Sequence, residues 1–340
     1  MKKSVFLFII CLGFIISVGF LLASIKTATI KNKSNIHFKG VNLVAPIKEL
    51  KSNSLAEIAN LNANYVSLIP YAFVNQEKAT VSFDYEKQWW GEKSEGIKIC
   101  IEKAHQNKLK VMLKPHLWIN HGIYTGHLDF KTEVEWRNWE QDYENYTLSM
   151  AKIAQEKNVD LFCFGTELGN ALEKRPKYWS ALIKKIKSIY SGKLTYAANW
   201  DDFEKVSFWN QLDYIGIDAY FPLLSSTTPT IKELQKSWKV YIHKMELLHK
   251  KTKKDIIFTE FGYRNSDACT KEPWKEENFV ENNQAQANAY SALFTSLYNK
   301  SWYKGGFVWK WYSDDYHKKQ KIDFTPQGKP ALEVLKKWYQ

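Results

Sequence analysis

The sequence predicts a single-domain α/β fold, a (β/α)8 TIM barrel, after an N-terminal export segment. Three observations predict it. Eight short apolar runs recur along the chain, segments with helical spacing separate them, and polar side chains follow the runs. Eight βα units in roughly 300 residues agree with this fold, whose typical length is about 250 residues.

The N-terminus predicts export. Lys2 and Lys3 precede a nearly unbroken apolar run from Ser4 to Ile25, and a basic start followed by such a run is typical of a secretory signal. The run is also close to the roughly 20 residues that span a bilayer. Residues 1–30 are therefore interpreted as a signal peptide or a membrane anchor. The protein is expected in the periplasm, outside the cell, or anchored in the membrane through residues 4–25 with its catalytic domain facing outward.

The eight apolar runs are interpreted as strands of one catalytic domain over residues 36–340. They are almost continuously apolar rather than alternating, as strands buried on both faces are. The runs are 38–45, 64–73, 110–119, 161–168, 193–200, 213–221, 256–263 and 305–312.

The segments between the runs predict amphipathic helices. Apolar residues recur there at i, i+3, i+4 and i+7, as in Ile97, Cys100, Ile101 and Ala104. The last helix is expected from about Pro330 to Trp338. A doubly wound open sheet is the alternative, but it usually has a glycine-rich phosphate turn after its first strand, and "VNLVAPIKEL" contains no glycine.

Composition narrows the choice of partner. The net charge of +12 is dispersed in short lysine runs that are typical of solvated helix faces, and no nucleic-acid-binding motif is present. We expect no nucleic-acid partner. The 14 Trp, 19 Tyr and 19 Phe suggest a surface that stacks on flat apolar faces such as those of sugar rings. The four cysteines fit neither a disulfide framework nor a zinc site.

Two glutamates end apolar runs in matching contexts. Glu167 stands in "FGTELG" on the fourth run and Glu260 in "FTEFG" on the seventh. The C-terminal ends of barrel strands carry the chemistry of this fold, so both carboxylates are expected at one cavity. A pair of carboxylates in a cleft is the catalytic arrangement of most glycoside hydrolases. The alternative is that each is a structural carboxylate near a helix N-terminus.

The other run ends would suit a sugar cleft, because a sugar needs partners for its hydroxyls and an aromatic face for its C–H side. We expect Tyr220 to donate a hydrogen bond to the nucleophile and Trp309 to form the floor under the reacting sugar. The loop tryptophans Trp89 and Trp90 are candidates for outer platforms. The remaining candidate binding residues are Lys114, His116, Trp118, Asn199, Trp200, Asp218 and Trp311.

A metal site is not expected. His116, His121 and His127 all lie on one stretch, "HLWINHGIYTGH". Barrel metallohydrolases draw ligands from several strands, and the first run has no His-x-His. No cofactor is expected either.

Several motifs together resemble glycoside hydrolase family 113, whose members are retaining endo-β-1,4-mannanases on (β/α)8 barrels. The resemblance extends from about Phe38 to Tyr312 and implies that Glu167 is the acid/base and Glu260 the nucleophile. In the wider clan an Asn commonly precedes the acid/base, whereas here Thr166 does, so Asn199 is the candidate for that sugar contact. The motifs are "GVNLVAP", "LKPHLWI", "LFCFGTEL", "KLTYAANWDDF", "LDYIGIDAYFP", "FTEFGYRN" and "GGFVWKWY".

The sequence thus predicts a retaining β-glycoside hydrolase acting on β-linked polysaccharides or oligosaccharides, with an endo-β-1,4-mannanase acting on mannan or glucomannan favoured by the resemblance. One alternative is a hydrolase of another β-linked glycan such as a glucan. The other is a surface glycan-binding barrel without turnover.

Overall fold

The structure is a computed structural model that describes residues 36–51, 54–275, 280–314 and 321–340. The predicted signal peptide or anchor, residues 1–30 with the run 4–25, lies outside these ranges. Within them, no helix combines the length and the hydropathy needed to cross a bilayer.

The described residues form eleven strands in two sheets, and eight of the strands close into a parallel barrel. The barrel order is β1-β11-β10-β9-β8-β7-β5-β2, so the predicted (β/α)8 fold is confirmed. The barrel strands are β1 (Phe38–Leu43), β2 (Tyr65–Leu68), β5 (Lys110–Leu113), β7 (Leu161–Thr166), β8 (Lys193–Asn199), β9 (Tyr214–Asp218), β10 (Asp255–Phe261) and β11 (Tyr303–Trp311).

Helices cover the outside of the barrel, and local signals fix their ends. Thr132 with Glu135, and Thr230 with Glu233, form capping boxes at the two longest described helices. The predicted stripe from Ile97 to Ala104 is buried. The α-helices are Ala56–Asn60, Ser94–Gln106, Glu133–Glu156, Gly169–Lys174, Pro176–Ile189, Ile231–Thr252, Asn283–Leu297 and Pro330–Tyr339.

Two predicted strands are each split in the structure, and a proline stands at each break. The run 64–73 becomes β2 and β3 (Tyr71–Asn75), separated at Pro70, while 110–119 becomes β5 and β6 (His116–Ile119), separated at Pro115. Proline has no N–H for a ladder hydrogen bond. Beyond the breaks, β3 pairs with β6 and with β4 (Thr80–Ser82) in a separate three-stranded sheet.

The interior of the barrel is filled by apolar side chains below a polar layer. Eight buried residues from seven barrel strands form their own cluster: Phe38, Tyr65, Met112, Leu161, Cys163, Ala197, Ile257 and Phe307. Side chains two residues apart point to the same face of a regular strand. Lys114, two residues after Met112, is therefore directed into the interior above this cluster.

Trp311 does not reach the cleft, which corrects its predicted binding role. Along β1 and β11 the pairing steps from Val41–Val308 to Leu43–Trp311, so β11 has one more residue than β1 in this interval. An extra residue of this kind reverses the alternation of side chains. Trp311 is accordingly 2% exposed and packs in the main hydrophobic core.

Candidate active site

Glu260 lies at the end of β10, with only 5% of its surface exposed. Tyr220 donates a hydrogen bond to its Oε2 at 2.7 Å, which is the approach expected from the sequence. The ammonium of Lys114 pairs with its Oε1. The Nε2 of His116 lies 3.6 Å from the same oxygen. The carboxylate is therefore held by two donors and has one neutral ring beside it.

Lys114 is fully buried and bridges two carboxylates. Its Nζ donates to the Oδ1 and Oδ2 of Asp218 at 3.2 and 3.1 Å as well as to Glu260. Burial alone would lower the pKa of Lys114, but the charges of Asp218 and Glu260 outweigh it and raise the pKa. Lys114 therefore remains an ammonium ion.

Asp218 completes this cluster from β9. It accepts from Lys114 and, at 2.7 Å, from the Thr259 hydroxyl, so three hydrogen bonds reach its carboxylate. Burial, followed by the charge of Glu260, raises its pKa. Lys114 and Asp218 are both 0% exposed, and neither borders the cavity described next. The structure thus corrects their predicted role as sugar contacts, because the chain buries them beneath Glu260.

Glu167 and Glu260 border one cavity of about 240 Å³ at the mouth of the barrel. Glu167 directly follows β7 and Glu260 lies on β10, the fourth and seventh barrel strands in chain order. The other lining residues are Tyr71, His116, Leu117, Trp118, Ile119, Gly122, Ile123, Tyr124, Thr125, Thr166 and Trp309. Both carboxylates can therefore reach a molecule bound in this cavity.

Glu167 is the candidate proton donor. Burial, followed by the charges of Asp218 and Glu260, raises its pKa well above the usual range. Its backbone N–H donates to the Ala197 carbonyl at 2.8 Å, and its φ of 52° lies in the left-handed region that non-glycine residues rarely adopt. Backbone strain of this kind clusters at functional sites.

His116 and Trp309 form an aromatic wall of the cavity. Their rings are stacked, with centroids 6.1 Å apart and planes inclined by 14°. Burial, followed by the charge of Lys114, lowers the pKa of His116 well below its usual value, so the ring is neutral. Trp118 lines the same cavity and is 53% exposed. These three predicted residues are brought together.

Asn199 and Trp200 lie outside the cavity, against expectation. The Asn199 amide donates to Asp201 at 2.8 Å, and Trp200 stacks on Trp274 with centroids 5.3 Å apart. Thr166 instead lines the cavity, and its buried hydroxyl has no hydrogen-bond partner among the described residues. Thr166 is therefore the better candidate for the sugar contact assigned to Asn199.

Trp89 and Trp90 differ although they are adjacent. Trp89 is 44% exposed and lines a second cavity of about 400 Å³, together with Lys310, Arg264 and Asp323. Trp90 is partly buried and packs against the core, which corrects its role as a platform. A short 3-10 helix, Trp90–Glu92, begins at this point, so the two adjacent rings point in different directions.

The sequence reasoning missed Tyr71 and Tyr124, which both line the cavity. Tyr71 follows Pro70, and the predicted continuous strand concealed that β3 starts there and leaves the barrel. Tyr124 stands in the loop that also contains His121 and His127. Across the described ranges, no group of three His, Cys, Asp or Glu side chains is arranged to hold a metal ion.

The sequence model of Glycoside Hydrolase Family 113 matches residues 47–329. A solved β-1,4-mannanase complex of that family is 25% identical, with a TM-score of 0.78, and the match covers 90% of this chain and 99% of the other. A β-mannanase of that family from Alicyclobacillus acidocaldarius is 21% identical, with a TM-score of 0.77 and coverage of 89% and 96%.

A more distant similarity concerns the fold alone. A β-glucuronidase from Ruminococcus gnavus is 13% identical, with a TM-score of 0.62, and the match covers 90% of this chain and 50% of the other. No curated protein sequence is significantly similar to the chain.

The raised pKa of Glu167 has a consequence for stability. Between the unfolded pKa, about 4.3, and the raised folded pKa, the native state binds more protons than the unfolded state, so stability falls as pH rises. We expect Glu167→Gln to leave the melting temperature unchanged near pH 4 and to raise it by several degrees near pH 8. Thermal denaturation at both pH values measures this. The exposed Glu173→Gln is the control, and an equal effect at both pH values would contradict the assignment.

Proposed function

The chain belongs to glycoside hydrolase family 113, and we propose that it is a retaining β-mannanase cleaving β-1,4-linked mannan or glucomannan. The observation that carries this proposal is the placement of Glu167 and Glu260 on one cavity by strands of a family-113 barrel. The similarity to a solved β-1,4-mannanase over nearly its full length supports the substrate class. The glucan-specific and non-catalytic alternatives are not favoured.

The proposed reaction has two displacements. Glu260 attacks the anomeric carbon, the glycosidic C–O bond breaks, and Glu167 transfers its proton to the leaving oxygen. Glu167, now ionised, then takes a proton from water, which attacks the same carbon and releases Glu260. The first step needs a protonated Glu167, and its raised pKa supports that role.

The chemical environment supports a different role for each glutamate. Lys114 and Tyr220 donate to Glu260, and such donors favour an ionised carboxylate. Glu167 has neighbouring negative charges in Asp218 and Glu260, which favour its neutral form. The neutral His116 adds no charge to either side. An ionised nucleophile and a protonated acid are the states from which the first displacement begins.

Export is also proposed, on the basis of Lys2, Lys3 and the apolar run 4–25. Fractionation of the producing cells, with N-terminal sequencing of the recovered protein, distinguishes a released enzyme from a tethered one. Recovery of the uncleaved chain in the cytosolic fraction would contradict the proposal.

The first functional prediction concerns the nucleophile. We expect Glu260→Gln to fold and bind mannooligosaccharides but to lose turnover by about 10⁴-fold or more, since the covalent step is removed. Mannan hydrolysis and calorimetric binding measure the two properties. Turnover near the wild-type rate in a folded Glu260→Gln protein would remove the proposed mechanism, and Glu173→Gln controls for the loss of a carboxylate elsewhere.

Stereochemistry provides a separate prediction. Direct attack by Glu260 requires the carboxyl groups of Glu167 and Glu260 to lie about 5–5.5 Å apart, leaving no room for a water between them. The product should therefore be released in the β configuration. Proton NMR of fresh digests detects the anomer before mutarotation. Initial release of the α anomer would indicate an inverting enzyme, for which the separation would be roughly 6.5–9.5 Å.

The second cavity predicts dependence on chain length. Trp309 lines the first cavity and the next residue, Lys310, lines the second, so a glycan lying over Trp309 can continue towards Trp89. We expect Trp89→Ala to lower kcat/KM for mannopentaose roughly tenfold more than for mannobiose, a difference of about 1.4 kcal/mol.

The matched control for this prediction is Trp274→Ala. Trp274 is 43% exposed, close to the 44% of Trp89, but it stacks on Trp200 and borders neither cavity. We expect Trp274→Ala to show no such difference between long and short substrates. The same length dependence in both variants would mean that the second cavity does not bind the glycan.

A further inference from the structure

We propose that Lys114 and Asp218 form a charge-balancing pair that keeps Glu260 compensated before glycosyl transfer and keeps Lys114 compensated after it. The inference rests on the proposed function. It assigns Lys114 and Asp218 as positioning residues, because they act on the reaction through Glu260 and lie out of reach of the sugar.

The first support is the geometry of the pair. One ammonium group lies between two carboxylates, with Asp218 bound at 3.1 and 3.2 Å and Glu260 bound through Oε1. Thr259, the residue before Glu260, donates to Asp218 at 2.7 Å and so fixes the second carboxylate. Lys114 and Asp218 are fully buried and Glu260 is 5% exposed, so water screens the charges of the three groups only weakly.

The second support comes from the charges during the reaction. In the first displacement the electron pair of Glu260 forms the bond to the anomeric carbon, so Glu260 becomes a neutral ester. The proton of Glu167 goes to the leaving oxygen, so the negative charge moves from Glu260 to Glu167. Lys114 would then be a buried cation without a counter-charge, which is costly, unless a second carboxylate remained beside it. Asp218 is that carboxylate.

In the second displacement Lys114 stabilises the negative charge that returns to Glu260. Water forms its bond to the anomeric carbon, the bond to Glu260 breaks, and the released electron pair restores the carboxylate. Lys114 already lies at that oxygen and stabilises the charge as it develops, without rearrangement. One buried ammonium group thus serves both half-reactions, and Asp218 keeps that group charge-compensated while Glu260 is a neutral ester.

Other groups also face Glu260 and must be considered in any pH dependence. Tyr220 approaches from the segment after β9, and His116 approaches from β6 with a neutral ring. Glu167 and Tyr71 share the cavity with it. Lys114 and Asp218 are the members of this set whose charges oppose each other, so removing either should move the pH profile in opposite directions.

The test compares the pH dependence of kcat/KM on mannopentaose for three variants and the wild type. Lys114→Met removes a positive charge that contacts Glu260 and lowers the pKa of Glu167, so both limbs of the bell-shaped pH profile should move to higher pH. Asp218→Asn removes a negative charge, so both limbs should move to lower pH. A shift of about one unit or more is expected for Lys114→Met, because Lys114 contacts Glu260 and a charge at that range changes a pKa by roughly 1–3 units.

The double variant Lys114→Met/Asp218→Asn removes both charges and should return the bell to within about half a unit of its wild-type position. Its rate should stay low, because removing one donor to a developing charge costs about 10²–10³-fold. KM should change less than about threefold in all three variants, since neither side chain borders the cavity. A merely structural role would not produce opposite shifts that cancel.

Glu140→Gln is the matched control. It removes a carboxylate from a short ion pair, 2.6 Å from the Nε of Arg175, that lies outside both cavities. It should leave the bell in place. Circular dichroism checks that each variant folds. Each single variant has its own expected direction of shift, so either one tests the proposal if the other fails to fold.

The outcomes separate the two proposals. A wild-type protein that hydrolyses no mannan would remove the proposed function. A wild-type bell that neither single variant moves, or that both move in the same direction, would overturn the charge-balancing role and leave the proposed function intact.

Discussion

The buried charge of Glu260 is the constraint on which the rest of the site depends. An unpaired carboxylate in the interior costs several kcal/mol, so the fold has to supply counter-charges. The cation, Lys114, directly follows β5, while Glu260 lies on β10, and three barrel strands separate β5 from β10 in each direction around the barrel. This ion pair therefore crosses the barrel interior. It requires that the sheet be closed, so the electrostatic environment of Glu260, the proposed nucleophile, depends on the tertiary fold.

The same arrangement gives two chemically identical side chains different properties. Glu260 receives hydrogen bonds from Lys114 and Tyr220, which stabilise its ionised form. Glu167 is half-buried near two negative charges, and its pKa rises. The charge of Glu260 is thus one of the causes of the raised pKa of Glu167. Position relative to one ammonium ion separates the proposed acid from the proposed nucleophile.

The sequence was sufficient to predict the barrel and the two glutamates, because continuous apolar runs and polar run ends are local features. It could not predict how deeply each polar side chain is buried in the barrel. Lys114 and His116 stand in the same predicted run and Asp218 in another, yet Lys114 and Asp218 are buried beneath the cavity that His116 lines. Nor could it predict register. One extra residue of β11 relative to β1 turns Trp311 into the core, and no local pattern in "GGFVWKWY" distinguishes it from Trp309.

The burial of the polar layer also explains how its charges can act strongly on Glu260. The apolar cluster of Met112, Ile257, Phe307 and their neighbours closes the barrel below Lys114, so the charged groups can meet water only through the mouth. A sugar bound over Trp309 would cover that opening and exclude water. Electrostatic interactions strengthen as the local dielectric falls, so the effect of Lys114 on Glu260 would be greatest when substrate is bound. The packing below the site and the substrate above it would then act together on one carboxylate.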